Sequence, residues 1–134
     1  GCGPGVYIKK ASELAGSSGK VYAVDVHELA IKAIEKKIAK YKLSNVAPVQ
    51  ADGYVTMIPD NCTDIIYALD MFHMVQDPAA LLAELRRIVK PNGFLILEDG
   101  HQPRAKTLEK VAGAGSWKVV EEVKTHIKCI PEQG

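Results

Sequence analysis

Charge of neither sign is in excess: 17 Lys and Arg stand against 16 Asp and Glu, for a formal charge of +1. No global field therefore recruits nucleic acid or an anionic membrane surface. Long apolar runs are lacking too. The longest, such as Ile65 to Leu69, fall far short of the roughly twenty residues that span a bilayer, and no charged-then-apolar leader is read. A cytoplasmic protein is expected, with neither nucleic acid nor membrane as a partner. Cysteine is scarce. Cys2, Cys62 and Cys129 contain no Cys-x-x-Cys pair, and the histidines do not cluster along the chain, so a reducing compartment and no metal site are expected. Cys2 stands where a helix N-terminus could depress a thiol pKa, but it is read as a small residue tolerated in a tight loop. Linkers and internal repeats are absent as well.

What is present is an ordinary soluble composition, 47% apolar and 25% charged over 134 residues. That length fits one domain, residues 1–134, able to bury roughly two-thirds of its unfolded surface. Ile8, Ala11, Leu14 and Ala15 recur at helical spacing before the Gly16-Ser17-Ser18-Gly19 turn. Residues 20–25 read as a buried strand, and residues 27–42 as a helix with Ala30, Ile34, Ile38 and Tyr41 on one face. Residues 45–51 are a strand closing in Asp52-Gly53, and the apolar run 63–69 suits a parallel strand covered on both faces. Asp77-Pro78 caps a helix carrying Leu81, Leu82, Leu85, Ile88 and Val89 inward, which Pro91-Asn92-Gly93 ends before a strand at 94–98. A helix over 103–112 ends at Gly113-Ala114-Gly115, and residues 117–123 and 125–130 finish the chain as an antiparallel pair. The alternation predicts an α/β fold, a three-layer αβα sandwich with a mostly parallel Rossmann-like sheet and a C-terminal antiparallel hairpin.

Chemistry enters at Gly1-Cys2-Gly3-Pro4-Gly5. Glycines without Cβ let a backbone pass close to a ligand, and the helix that follows aims free N–H groups at an anionic part. About twenty residues on, Asp25 ends an apolar strand, the spacing of a ribose-binding acid in a nucleotide fold. Such folds feed the first glycine from a buried strand, which this sequence does not show; it is read as lacking that first strand.

Four stretches then carry a resemblance: Gly1 to Gly5, Val24-Asp25-Val26, Gln50-Ala51-Asp52-Gly53, and Leu85 to Leu95. In this order and spacing they resemble the class I S-adenosylmethionine-dependent methyltransferases, in particular the small-molecule group that includes ubiquinone and menaquinone biosynthesis enzymes. The resemblance implies S-adenosyl-L-methionine as cofactor and a small-molecule acceptor. It implies that Gly1, Gly3 and Gly5 line the methionyl part, that Asp25, with Val26 beside it, accepts from both ribose hydroxyls, and that Asp52 and Gly53 meet the adenine. Leu69 and Asp70 would sit beside the sulfonium. Each also has a structural explanation: a glycine turn, an N-capping Asp25, an Asp52-Gly53 turn, a solvated Asp70. Relatives also carry an acid two positions before the first glycine and N-terminal helices that cap the site, neither found here.

Methyl transfer from a sulfonium asks the protein mainly to position. His73, in Asp70-Met71-Phe72-His73-Met74, is the candidate catalytic base, or else a histidine held at a strand-to-helix junction. Asp99 and His101 stand after the next strand, with Arg104 able to hold an acidic acceptor group. Met57, Met71, Phe72 and Met74 form either an adaptable apolar floor or plain core. Lys36, Lys37, Lys40 and Lys42, interspersed with acids, read as a solvated face. Two other functions fit the same features. A nicotinamide-dependent oxidoreductase would use Asp25 equally well, although Val6 stands where its fingerprint wants a small residue. A non-catalytic partner subunit, or a chain completed as a homodimer, would account for the lacking strand.

Overall fold

The computed structural model describes residues 1–133, which form two compact units, one from Gly1 to Thr56 and one from Met57 onward. The first unit holds α1 (Ile8–Ala15), β1 (Val21–Asp25), α2 (Glu28–Tyr41) and β2 (Val46–Gln50). β1 and β2 pair in parallel from Val21 opposite Val46 to Asp25 opposite Gln50, with α2 as the crossover between them. Ile8, Ala23, Ile34, Leu43 and Val46 make the core, and Ile34 is fully buried. The buried face of α2 runs through Ile31 and Ile34. Tyr41, expected on that face, is exposed, because α2 ends there and the chain turns through Lys42 at φ 54°.

α1 departs from its expected stripe. It buries Ile8 and Ser12, one helical turn apart, and leaves Leu14 70% exposed on another face. The reason is polar. Ser12 Oγ donates to Asn45 Oδ1 at 2.5 Å, while Asn45 Nδ2 donates to the Ser12 and Gly16 carbonyls at 2.9 and 2.8 Å. Asn45 thus adds donors to carbonyls at the end of a two-turn helix, beside the Gly16 amide, which itself donates to the Ser12 carbonyl at 3.2 Å.

The second unit holds β3 (Thr63–Ala68), a single 3₁₀ turn (Phe72–Met74), α3 (Pro78–Ile88), β4 (Val89–Glu98), α4 (Arg104–Ala114), β5 (Trp117–Glu122) and β6 (His126–Pro131). Its sheet has the order β3-β4-β6-β5, parallel between β3 and β4 and antiparallel on both sides of β6. The C-terminal hairpin is as expected, and β6 inserts beside β4. Asp77 caps α3 by accepting from the Ala80 amide at 3.0 Å, with Pro78 in the first turn. Leu82, Leu85 and Ile88 are buried along it, and the Trp117 indole donates to the Leu82 carbonyl at 3.0 Å.

α3 stops one residue short of the expected Val89. Val89 instead pairs with Thr63, and β4 runs on through Pro91-Asn92-Gly93, which the sequence reads as a turn. The loop before β3 takes over the last helical carbonyls: the Asn61 amide donates to Arg87 O, and the Cys62 amide and Thr63 hydroxyl to Ile88 O. A register shift between Thr63 and Ile65 absorbs the extra residues, and a Cβ on Gly93 would lie 2.7 Å from the Asp64 carbonyl. α4 runs to Ala114, two residues past the expected 112, with Gly115, φ 71°, as its C-cap within the expected Gly113-Ala114-Gly115 stop. β3 is not covered on both faces. Ile65 and Tyr67 are 43% and 56% exposed, since β3 is an edge strand paired, among the described residues, with β4 alone. No helix among the described residues is long and apolar enough to cross a membrane.

Candidate functional site

In the first unit the glycine loop is stitched to the tip of β1. The Gly1 and Cys2 nitrogens both donate to the Val24 carbonyl, at 2.6 and 2.8 Å, and the Gly3 amide donates to Asp25 Oδ2 at 2.9 Å. Asp25 Oδ1 accepts the His27 amide at 3.0 Å, which turns the chain into α2. Asp25 is buried to 6% of its surface. Desolvation pushes its pKa up, but the amides of His27 and Gly3 outweigh that and hold the carboxyl below the ordinary range. The carboxylate is therefore charged at neutral pH and keeps lone pairs beyond the two amides.

The three glycines play different parts. Gly3, φ 53°, has open space where a Cβ would project. Gly5, φ 81°, is buried, and a Cβ there would collide with Ile34 Cδ1 and lie 3.2 Å from Ile8 Cγ2. Gly3 thus leaves room for a ligand, whereas Gly5 leaves room for α2. Lys37, read from sequence as solvated, reaches back from α2 and donates to the Gly5 carbonyl at 2.8 Å. Only the fold could reveal that, since nothing in its neighbours' pattern sets Lys37 apart. A hollow of about 260 Å³ lies against this tip, lined by Gly3, Pro4, Asp25, His27, Leu29, Ala30 and Ala33.

Asp52 lies at the neighbouring strand tip. The Ala51 amide donates to the Asp25 carbonyl at 2.9 Å, and Asp52 and Val55 exchange two backbone bonds across a turn with Gly53 at φ 59°. Asp52 is exposed and lies outside the lining of the hollow, as does the half-exposed Val26. The fit to an adenosyl cofactor rests on Gly3 and Asp25: an ionised, buried carboxylate at the end of a strand, and beside it a backbone with space over it.

The second unit gathers the remaining candidates. Leu69 and Asp70 follow β3, Asp70 at φ 51°, and lead into the turn that buries Phe72 completely. Met57 and Met74 are 86% and 68% exposed, so the four apolar side chains make no common floor; Phe72 alone is core, with Lys110 Nζ 5.4 Å above its ring. His73 packs edge-to-face on His101, ring centroids 4.9 Å apart at 79°. Gly100, φ 65°, lies so close that a Cβ would overlap His73 Nδ1, and that nitrogen is buried without a hydrogen-bond partner among the described residues. Asp70 Oδ1 stands 3.8 Å from His101 Nε2. Asp70, Gly100 and His101, together with Asp99 and Lys124, line a cleft of about 720 Å³, and His73 lies outside that lining.

Arg104 is not free to hold an acceptor. Its Nε lies 2.9 and 3.0 Å from the Asp99 oxygens, its Nη2 donates to Asp99 at 2.7 Å and to the Val123 carbonyl at 2.5 Å, and Nη1 reaches Glu122 at 3.4 Å. Five residues separate strand end from first helical turn, which lets the planar guanidinium meet the carboxylate as a fork. Those bonds chiefly hold the Asp99 carboxyl below the ordinary range.

The order of strands and helices, the glycine loop and the strand-end acid define a Rossmann-like α/β fold of the class I S-adenosylmethionine-dependent methyltransferases. Residues 1–97 match the methyltransferase domain family, and the chain belongs to it. It is 31% identical over 122 residues to the ubiquinone/menaquinone biosynthesis C-methyltransferase UbiE of Shewanella oneidensis, covering 90% of this chain and 49% of that protein. The chain thus spans about half the length of the curated relatives it matches. A crystal structure of a SAM-dependent methyltransferase from Aquifex aeolicus superposes with TM-score 0.84 at 26% identity, over 97% of this chain and 77% of that one. The TehB-like SAM-dependent methyltransferase of Corynebacterium glutamicum shares the fold, with TM-score 0.73 at 18% identity over 98% of this chain and 77% of its own.

Proposed function

We propose that residues 1–134 act as one methyltransferase domain that transfers a methyl group from S-adenosyl-L-methionine to a small-molecule acceptor. The observation that carries this reading is the Gly3–Asp25 arrangement, an ionised carboxylate locked under an open glycine backbone, in a chain that matches the methyltransferase domain family over residues 1–97. Bound there, the cofactor would supply both electrophile and leaving group. Gly1 and Gly3 line its methionyl part, with Gly5 setting the loop against α2. Asp25 takes the ribose hydroxyls with Val26 alongside, and Asp52 and Gly53 meet the adenine. Leu69 and Asp70 flank the reacting end. His73 takes a proton from the acceptor where the acceptor carries one.

No nucleophilic side chain is needed. Alignment of acceptor and methyl carbon supplies about 7 to 11 kcal/mol of the barrier through prepaid entropy. The name of the Shewanella relative, a C-methyltransferase of quinone biosynthesis, makes a ring carbon the acceptor atom to try first. The near-zero charge supports a cytoplasmic protein that works without nucleic acid or membrane, and a homodimer is compatible with its exposed apolar strand β3.

Calorimetric titration with S-adenosylhomocysteine tests the reading. One site in the micromolar range, no response to NAD, and release of S-adenosylhomocysteine on incubation with cofactor and a demethyl-quinol are expected. NAD binding with no response to S-adenosylhomocysteine would overturn it.

A further inference from the structure

Asp70 and His73, three residues apart after β3, meet His101 from the end of β4, with Asp70 and His101 lining the larger cleft. One carboxylate oxygen of Asp70, one ring nitrogen of His73 and one of His101 all lie within 4.8 Å of one another. We infer that Asp70, His73 and His101 form a binding site for a divalent transition-metal ion.

The donor set sets the class of ion. Two imidazoles with one carboxylate suit zinc, cobalt, nickel or iron, whereas magnesium and calcium take oxygen-rich sets. Ligands about 2.1 Å from a common ion stand about 3 to 3.5 Å from one another, so closure needs shifts of about an ångström. Asp70 and His101 have the freedom for that. Their side chains are 63% and 81% exposed, and among the described residues no hydrogen bond ties the Asp70 carboxylate or the His101 imidazole to another residue beyond their mutual 3.8 Å approach.

His73 is the fixed member. Among the described residues its Nδ1 is buried without a hydrogen-bond partner, so no bond to them from that nitrogen commits the ring to another use. Gly100 makes the approach possible, because any Cβ at that position would occupy the place of the imidazole. Three protein ligands leave coordination positions open. Asp70 and His101 line the cleft, so those positions take water or an oxygen of a small molecule held there.

Cobalt(II) titration of the metal-free protein tests this. One equivalent is expected to bind, with visible d–d absorption, no thiolate charge-transfer band, and displacement by zinc. His101→Ala and Asp70→Ala, both at exposed positions, are each expected to weaken cobalt at least tenfold. His27→Ala and His126→Ala lie outside the cluster and are expected to leave binding within twofold. Absence of cobalt binding, a thiolate band, or affinity unchanged by His101→Ala would overturn the site. The readout is metal rather than methyl transfer, so a protein that takes S-adenosylhomocysteine but no cobalt would lose this site and keep its cofactor role.

Discussion

The Gly3 amide and the Asp25 carboxylate, 22 residues apart, are joined by a 2.9 Å hydrogen bond that fastens the glycine loop to the tip of β1. Asp25 therefore has two duties. From sequence it is a ribose acceptor, and in the fold it also fixes the loop and, through His27, the entry to α2. Asp25→Ala is expected to lower S-adenosylhomocysteine affinity tenfold to a hundredfold, about 1.5 to 3 kcal/mol for hydrogen bonds to a charged group. It is also expected to cost about 1 to 2 kcal/mol of stability, because two backbone amides lose their acceptor. Calorimetry and urea unfolding separate the two losses; an unchanged affinity would remove Asp25 from the cofactor site.

The second and third glycines of the loop should fail in different ways. Gly5→Ala forces an alanine to φ 81° and drives a methyl into Ile34, so a loss of about 2 to 4 kcal/mol in stability is expected from strain and overpacking together. Gly3→Ala meets no atom within 4 Å at φ 53°, and only strain of about 1 kcal/mol is expected. Cofactor affinity should reverse that order once folding is corrected for, since the Gly3 methyl would occupy the ligand's space. Thermal melts followed by circular dichroism, with parallel calorimetry, check it.

Sequence revealed what depends on periodicity and on chain-local spacing. The helix over Pro78–Ile88 was legible because Asp77, Pro78 and the leucines act within a few turns of one another, and so was the loop-to-Asp25 interval. What it hid depends on partners distant in the chain. Leu14 reads inward until Asn45 claims Ser12 and the end of α1, and Lys37 reads as solvated until the Gly5 carbonyl is beneath it. Pro91-Asn92-Gly93 reads as a turn because turn chemistry is local, whereas the strand it joins is dictated by β3. The same holds for chemistry. His73 and His101 stand far apart in sequence and meet only because β3 and β4 are parallel neighbours whose C-terminal ends lie together.

Arg104 and Asp99 give the second unit a dependence on pH that Trp117 reports. Asp99 is held below its ordinary pKa chiefly by the Arg104 fork, so the folded value lies beneath the unfolded one, about 3.9. A depressed carboxyl stabilises fully above the unfolded pKa and loses that contribution as pH falls through the folded value. Arg104→Gln removes the fork and leaves a 9%-exposed carboxylate short of partners, for an expected loss of about 1 to 3 kcal/mol at neutral pH. The loss should shrink toward zero as pH falls through the folded value, below which Asp99 is protonated in both proteins. Adding Asp99→Asn should recover part of it, since contacting residues couple by about 0.5 to 3 kcal/mol. Trp117, the only tryptophan and 5% exposed in β5, makes urea unfolding of this unit readable by fluorescence. If Arg104→Gln lowered stability equally at pH 7 and at acid pH, the guanidinium would be acting through packing alone, and the ion pair would have no part in the fold's acid limit.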